Sequence, residues 1–319
     1  MRSRKEREHQ KRKKGKFLRG FLLLVLLLVA VAAVFVVMQY KQGLSEAKDG
    51  DYKNDGEQFG KFDGETPKSG EIKTLLIGND SRGESKGGGR SDTLMIAYYN
   101  QKTNESKLVS VMRDTYVDIP GHGKQKINAA FSFGGPELVR QTIKQNFDVD
   151  INYYAVVDFS GFPKLIDLLA PDGITVDIKQ QMSYGIAMTL NPGVQTLHGD
   201  KLLGYVRFRH DAESDFGRIK RQQEVLSKVK SQALRAQNIV KLPKLLGLAD
   251  PYVDTNVSNG TLLSMGKNML MKKSEGMETM SIPIQGSFTD LRTDVGLVLN
   301  ADLEQNGKAL QDFLSSSKQ

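Results

Sequence analysis

The sequence predicts an α/β domain built as an α/β/α sandwich and preceded by one transmembrane helix. Apolar runs of strand length recur along the chain, and stretches with the 3.6-residue apolar period of helices lie between and after them. A sheet interleaved with helices in this way is covered on both faces. With 39% apolar residues in 319, one core of ordinary domain size is affordable even after a membrane segment is set aside.

In chain order, residues 1–19 form a basic cytoplasmic tail. The net charge of +8 is concentrated here: the first twenty residues hold ten Lys or Arg against Glu6 and Glu8, and the rest holds thirty-five basic and thirty-five acidic residues. The body is neutral, so the basic balance is no reason to expect nucleic acid. Residues 20–38 are uncharged and mostly apolar, about 28 Å of helix and close to the thickness of one hydrocarbon core. This run is longer than a signal-peptide core, and Phe35-Val36-Val37-Met38-Gln39 offers no small-residue cleavage site, so it reads as an anchor. Lys11, Arg12, Lys13, Lys14, Lys16 and Arg19 precede it, which puts the N-terminus in the cytoplasm and the remainder outside, in a single-pass protein of the cell membrane. Residues 39–70, rich in Gly, Lys, Asp and Glu, read as a solvated extracellular linker. Residues 71–319 are the extracellular domain.

That domain opens with the apolar run 73–78, which ends in Gly as a buried strand would; 93–99, 108–112 and 153–157 repeat the signal, and 280–284 offers a further strand. Helical periodicity marks 136–147, 162–169, 218–236, 261–271 and 303–314. The absence of Cys removes disulfides, thiolate zinc sites and cysteine nucleophiles together. Four scattered His leave little for a metal cage, and His122, His198 and His210 read as turn residues rather than bases. Neither a Gly-x-Ser-x-Gly elbow nor a spaced Ser/His/Asp set supports covalent hydrolysis.

Chemistry concentrates in three segments. The first runs from Gly78-Asn79-Asp80-Ser81-Arg82 through Gly87-Gly88-Gly89 to Arg90-Ser91-Asp92. Ligands of open α/β sheets bind beyond the carboxyl ends of strands, where Asp80 stands, and glycines there let backbone approach a phosphate. Neither a P-loop nor a dinucleotide fingerprint matches. The second segment is Val111-Met112-Arg113-Asp114-Thr115-Tyr116. The third is Tyr205-Val206-Arg207-Phe208-Arg209-His210 with Asp215-Phe216-Gly217-Arg218 and Arg221-Gln222-Gln223. If 205–210 is extended, Arg207 and Arg209 share one face, and a helix from Arg218 puts Arg218, Arg221 and Gln222 on another. Guanidinium forks bind phosphate oxygens bidentately and a helix N-terminus adds donors, so this many cations suit a diphosphate. Asp80 and Asp92 suit Mg²⁺, or Mn²⁺ in its place, because hard divalent cations take carboxylate and phosphate oxygens in one shell. Plainer readings stay open: Arg113 paired with Asp114, the helical arginines solvated or paired with Asp211, Glu213 and Asp215, and Asp80 and Asp92 bridged to Arg82, Arg90 or Arg113.

Together these segments resemble the LytR-CpsA-Psr family of cell-wall glycopolymer transferases over about residues 72–237, through Asp80-Ser81-Arg82, Arg90-Ser91-Asp92-Thr93, Arg113-Asp114-Thr115-Tyr116-Val117, Lys126-Ile127-Asn128-Ala129-Ala130-Phe131, Leu197-His198-Gly199-Asp200-Lys201 and the third segment above. The resemblance implies a central mixed sheet enclosing an apolar polyprenyl-binding pocket, with arginines and Mg²⁺ holding a diphosphate at its mouth. It also implies transfer of a teichoic acid, capsule or related glycan from a polyprenyl-diphosphate carrier to peptidoglycan, through a phosphodiester link. Carried over residue by residue, it makes Asp80 and Asp92 the metal-linked pair and Arg82, Arg90, Arg113, Arg207, Arg209, Arg218, Arg221 and Gln222 the diphosphate cradle. Asp92, as general base, and Arg113 and Arg209 become the catalytic residues. Many relatives carry Ile-Pro in place of Val111-Met112 and Gly-Gly-Val in place of Asp172-Gly173-Ile174, and neither departure removes a charged site residue. Two other classes compete. A non-catalytic anchored binder of anionic wall polymer would keep the arginines without needing Asp80 and Asp92. A regulator or attenuator of transcription is a label some relatives bear, but an extracellular body is awkward for direct contact with DNA.

Overall fold

The computed structural model describes residues 30–31, 33–47, 59–80, 90–233, 235, 241–271 and 276–316. The expected span 20–38 lies mostly outside the described residues, as does the loop 81–89 with Arg82. Among the described residues no helix is long and apolar enough to cross a membrane.

Helix α1 (33–47) precedes the sheet. Strands β1 (Glu71–Asp80), β2 (Arg90–Asn100) and β3 (Ser106–Val111) form an antiparallel meander, and the hairpin β4 (Tyr116–Ile119)–β5 (Gly123–Lys126) leads into α2 (Ala129–Phe147). Strand β6 (Tyr153–Asp158) then pairs parallel to β1. Helix α3 (Phe162–Leu169), the hairpin β7 (Ile174–Ile178)–β8 (Gly193–Leu197), α4 (Gly199–Arg207) and α5 (Ser214–Ala233) follow. Helix α6 (Leu242–Ala249) leads through a 3-10 turn at Asp250–Tyr252 to β9 (Val253–Thr255), antiparallel to β6. After α7 (Asn259–Met271), β10 (Glu278–Ile282) pairs parallel to β3, and the chain closes with the hairpin β11 (Phe288–Thr293)–β12 (Gly296–Ala301) and α8 (Leu303–Ser315). The central sheet is therefore mixed and six-stranded, in the order β10-β3-β2-β1-β6-β9.

The period of two along the strands sorts side chains between two layers. Leu75 and Ile77, Leu94 and Ile96, Val109 and Val111, and Tyr154 and Val156 join Val139, Ile143 and Phe147 of α2 and Leu310 and Leu314 of α8 in one buried core. Each such side chain stabilises the fold by roughly 1.5–3 kcal/mol relative to exposure, an upper bound set by the extended-chain reference. On the opposite face Leu76, Met95, Ala155 and Val157 look towards α3, α4 and α5, and a cavity of about 240 Å³ separates the two layers.

Two expectations change. Residues 205–207 end a helix instead of running extended, because Leu202, Tyr205 and Val206 have helical spacing and all three bury in a second core with the β7–β8 hairpin. The linker is not solvated throughout: Ala47 is buried, and Phe59 and Phe62 pack on Phe131 and Tyr154 at ring-centroid distances of 5.3 and 5.0 Å. Single aromatics within a polar stretch leave no periodicity to read.

Candidate active site

Strands β1, β3 and β6 run in one direction, so their carboxyl ends meet the start of β2 at one edge of the sheet. There the β1–β2 pairing steps from Gly78 opposite Thr93 to Asn79 opposite Ser91, which leaves Asp92 as the extra residue of a β-bulge. A bulge re-aims a side chain out of the pleat. The Asp92 carboxylate receives Arg113 Nη1 at 2.5 Å and lies 3.4 Å from Arg209 Nη2. Arg209 Nε stands 3.7 Å from Asp215, which accepts from Arg218 Nη2 at 2.9 Å. Arg113 also reaches Asp114, whose other oxygen is held by Lys126 at 2.7 Å. A charged pocket of about 210 Å³ is lined by Asp92, Arg113, Arg207, Arg209, Tyr184, Gly185 and His210. Arg207 caps it from the end of α4, its guanidinium 5.3 Å from the centre of the Phe159 ring.

Among the described residues, with Asp114 neutralised by Lys126, the guanidiniums of Arg113, Arg209 and Arg218 exceed the carboxylates of Asp92 and Asp215 by one charge. Arg218 is only 2% exposed, and its Nε and Nη1, like the buried Nε of Arg209, have no hydrogen-bond partner among the described residues. A buried donor left without an acceptor costs about 1–3 kcal/mol, so these atoms could take further acceptors. Burial pushes Arg218 down to about 10, helped by Arg209 and Arg113 and opposed by Asp215. Burial also lowers Arg209. For Asp92 burial acts upward, but the charges of Arg113, Arg209 and Arg218 outweigh it and hold the carboxyl below its ordinary range.

The remaining predicted residues divide. Arg221 is not a wall of the charged pocket: its Nη1 bonds Asp211 at 2.5 Å, its Nη2 donates to the Phe208 carbonyl, and it lies over the Tyr205 and Phe208 rings. It ties down the 208–211 segment that carries Arg209. Gln222 donates to Thr93 Oγ1 at 3.0 Å and to the Val206 carbonyl at 3.3 Å. Asp80 and Arg90 are register partners at the end of the β1–β2 ladder, at the same edge.

Gln222, Thr93 and Val206 also line the apolar cavity, and their chain neighbours Asp92 and Arg207 line the charged pocket, so the two spaces adjoin. Gly78 lies where they meet. A Cβ there would come within 2.9 Å of Thr93 Cβ and 3.0 Å of the Phe159 ring, so the close approach of β1 to β2 needs glycine. Sequence reasoning missed Tyr184, 71% exposed, whose ring meets His210 edge-on at 4.3 Å over the charged pocket. Its loop is anchored by buried Met182, Ile186 and Leu190. The signal was present as one aromatic between apolar anchors, without a motif to mark it.

Among the described residues no three His, Asp or Glu side chains come together as a metal cage. Mg²⁺ bound together with phosphate needs only one or two carboxylates, and Asp92 supplies one at the mouth. The buried Oδ1 of Asn79, beside Asp80 in the chain, is an acceptor without a partner among the described residues. The donor set fits such an ion.

An α/β protein whose apolar cavity adjoins a pocket lined by arginines has room for an amphiphile with an anionic head. This chain belongs to the LytR-CpsA-Psr family, whose description (LytR_cpsA_psr family) matches residues 34–312. It is 38% identical over 283 residues to regulatory protein MsrR of Staphylococcus aureus, covering 88% of this chain and 85% of that one. It is 34% identical over 282 residues to polyisoprenyl-teichoic acid–peptidoglycan teichoic acid transferase TagU of Oceanobacillus iheyensis, covering 83% and 85%. The crystal structure of B. subtilis TagV superposes with a TM-score of 0.66 at 29% identity, over 79% of this chain and 100% of that one.

Proposed function

We infer that this protein transfers a glycopolymer from a polyprenyl-diphosphate carrier to peptidoglycan, as a single-pass protein of the cell membrane with its domain outside. The observation that carries this reading is the junction at Gln222, Thr93 and Val206, where an apolar cavity meets a pocket with surplus positive charge. A prenyl tail suits the first space and a diphosphate the second. The name borne by TagU, a teichoic acid transferase to peptidoglycan, supports the same reading.

In the proposed reaction Arg113, Arg207, Arg209 and Arg218 hold the diphosphate, the free Nε and Nη1 of Arg218 and Nε of Arg209 taking phosphate oxygens. A peptidoglycan hydroxyl attacks the phosphorus nearer the sugar. The new O–P bond forms as the bond to the bridging oxygen breaks, and the electron pair departs with polyprenyl phosphate. The hydroxyl proton passes to the Asp92 carboxylate, which becomes a better base once the phosphates draw Arg113 and Arg209 away from it. Asp80 and Asp92 are the residues that would hold Mg²⁺, or Mn²⁺, which would neutralise charge on the leaving phosphate; ligation at Asp92 competes with its role as base. Positioning and electrostatics do most of the catalytic job, since phosphoryl transfer asks little covalent chemistry of a protein.

The test mixes purified protein, Mg²⁺, a synthetic polyprenyl-diphosphate saccharide and peptidoglycan oligomers, and looks by mass for the conjugate. Arg209→Ala removes a donor to developing charge worth roughly 2.7–4 kcal/mol, so turnover at saturating donor falls on the order of a hundredfold or more. Free saccharide phosphate without conjugate would mean hydrolysis, and unchanged turnover in the variant would displace Arg209 from the phosphate.

A further inference from the structure

Helix α1 is clamped to the domain. A Cβ at Gly43 would lie 2.1 Å from the Lys244 carbonyl oxygen, and one at Gly247 would lie 2.1 Å from that of Tyr40, so these backbones touch where only glycine fits. Gly43 meets Lys244 and Leu248 while Gly247 meets Tyr40 and Leu44, which makes α1 and α6 antiparallel. Lys244 pairs with Glu46 at 2.7 Å, the Tyr252 hydroxyl donates to the Ala47 carbonyl at 3.0 Å, and the Tyr40 phenol bonds Asp250. Ala47, Leu248 and Tyr252 share a buried cluster with Leu165, which also lines the apolar cavity.

The direction of this clamp has a consequence for the site. From Asp250 the chain turns into β9, whose first residue, Val253, pairs with Val157 near the carboxyl end of β6. Tyr40 thus docks on the carboxyl-edge side, and the residues before it lead away past that edge. There Val34, Phe35, Val37 and Met38 are each at least 44% exposed. Met38 precedes Tyr40 by two residues, about 3 Å of helical rise, which leaves no length for a tether.

We propose that α1 is a rigid bracket, closed by the backbone contacts at Gly43 and Gly247, that seats the carboxyl edge of the sheet against a lipid bilayer, so that the charged pocket meets a lipid head group at the membrane surface. The proposal rests on the reading of 20–38 as a membrane span and not on the transfer chemistry.

The chain has no Cys, so one introduced Cys takes one fluorophore. Ser160 is exposed just after β6 at the carboxyl edge, and Thr103 is exposed in the β2–β3 turn at the opposite edge. Full-length Ser160→Cys and Thr103→Cys proteins are labelled in phosphatidylglycerol–phosphatidylethanolamine vesicles whose head groups carry a nitroxide quencher. The Ser160 label is quenched several-fold more than the Thr103 label, and Gly247→Leu or Gly43→Leu, with an unchanged circular-dichroism melt, abolishes the difference. Equal quenching at both sites in the protein with both glycines, or a difference that survives both Leu variants, overturns the proposal. If neither variant folds, the contrast between the two labels alone decides. No donor is needed, so a failed transfer assay leaves this result standing, and equal quenching leaves the transfer assay standing.

Discussion

At the scale of single residues, Asp92 and Arg113 form the pair on which the rest of the charged pocket closes. Burial would raise the Asp92 carboxyl, yet its arginine neighbours keep it low. A carboxyl whose folded pKa lies below its unfolded value contributes stability that is complete above that unfolded value and is lost as pH falls through the folded one. Arg113→Met removes the largest opposing charge, so the folded pKa of Asp92 rises and the acid limb of the Tm-against-pH curve begins at a higher pH than in the wild type. Thermal melts across the acid range, with carboxyl NMR titration of Asp92, check this; an unmoved limb would mean that Arg113 is not its controlling partner. Tyr184 carries a second expectation. Its exposed ring over the charged pocket suits a sugar face, so Tyr184→Ala weakens binding of a prenyl-diphosphate saccharide severalfold and leaves the bare prenyl diphosphate unchanged in calorimetry. Equal loss for both ligands would remove the sugar contact.

At the scale of elements, the strongest apolar signals were legible and the weaker ones were not. Strands 73–78, 93–99, 108–112 and 153–157 emerge as β1, β2, β3 and β6 because each is an apolar run with one face in the main core and the other at least partly buried. The helix expected from Pro136 is the main part of α2; its first turn precedes a kink at Gly134 and Gly135 that periodicity cannot see. The bulge at Asp92 was invisible for a different reason, since register is a property of two strands together. For Arg221 the sequence leaves a phosphate and Asp211 as alternative partners because residue type says nothing of direction, and the packed α5 turns it to Asp211. Where side chains turn inward, energetics sharpen. Lys107 is 1% exposed, its Nζ on the carbonyls of Phe313 and Ser316 at the end of α8 and 3.4 Å from Glu105. Lys107→Met leaves that carboxylate and those carbonyls unmatched, at a cost of about 3 kcal/mol. Urea titration detects it as a lower midpoint with an unchanged slope. On the opposite face Leu226→Trp on α5 intrudes on the cavity, and affinity for a long-chain donor falls while a geranyl donor is unaffected; equal loss for both would empty the cavity of its tail.

At the scale of the whole molecule, charge separates into a basic tail and a neutral body. Since sequence-independent affinity for DNA is chiefly electrostatic, the body from residue 59 onward shows no salt-dependent retention of duplex DNA in a mobility-shift titration. Binding that weakened steeply with salt would revive the regulator reading. The order of strands has a last consequence. Edge strand β10 is laid beside β3 although some 170 residues of chain intervene, and α8, the final helix, caps the hydrophobic layer begun by α2. The nascent chain therefore cannot finish its sheet until residues 278–282 have been synthesised. A premature stop shortly before residue 278 would yield a polypeptide with β3 bare along one side, prone to sticking to its neighbours.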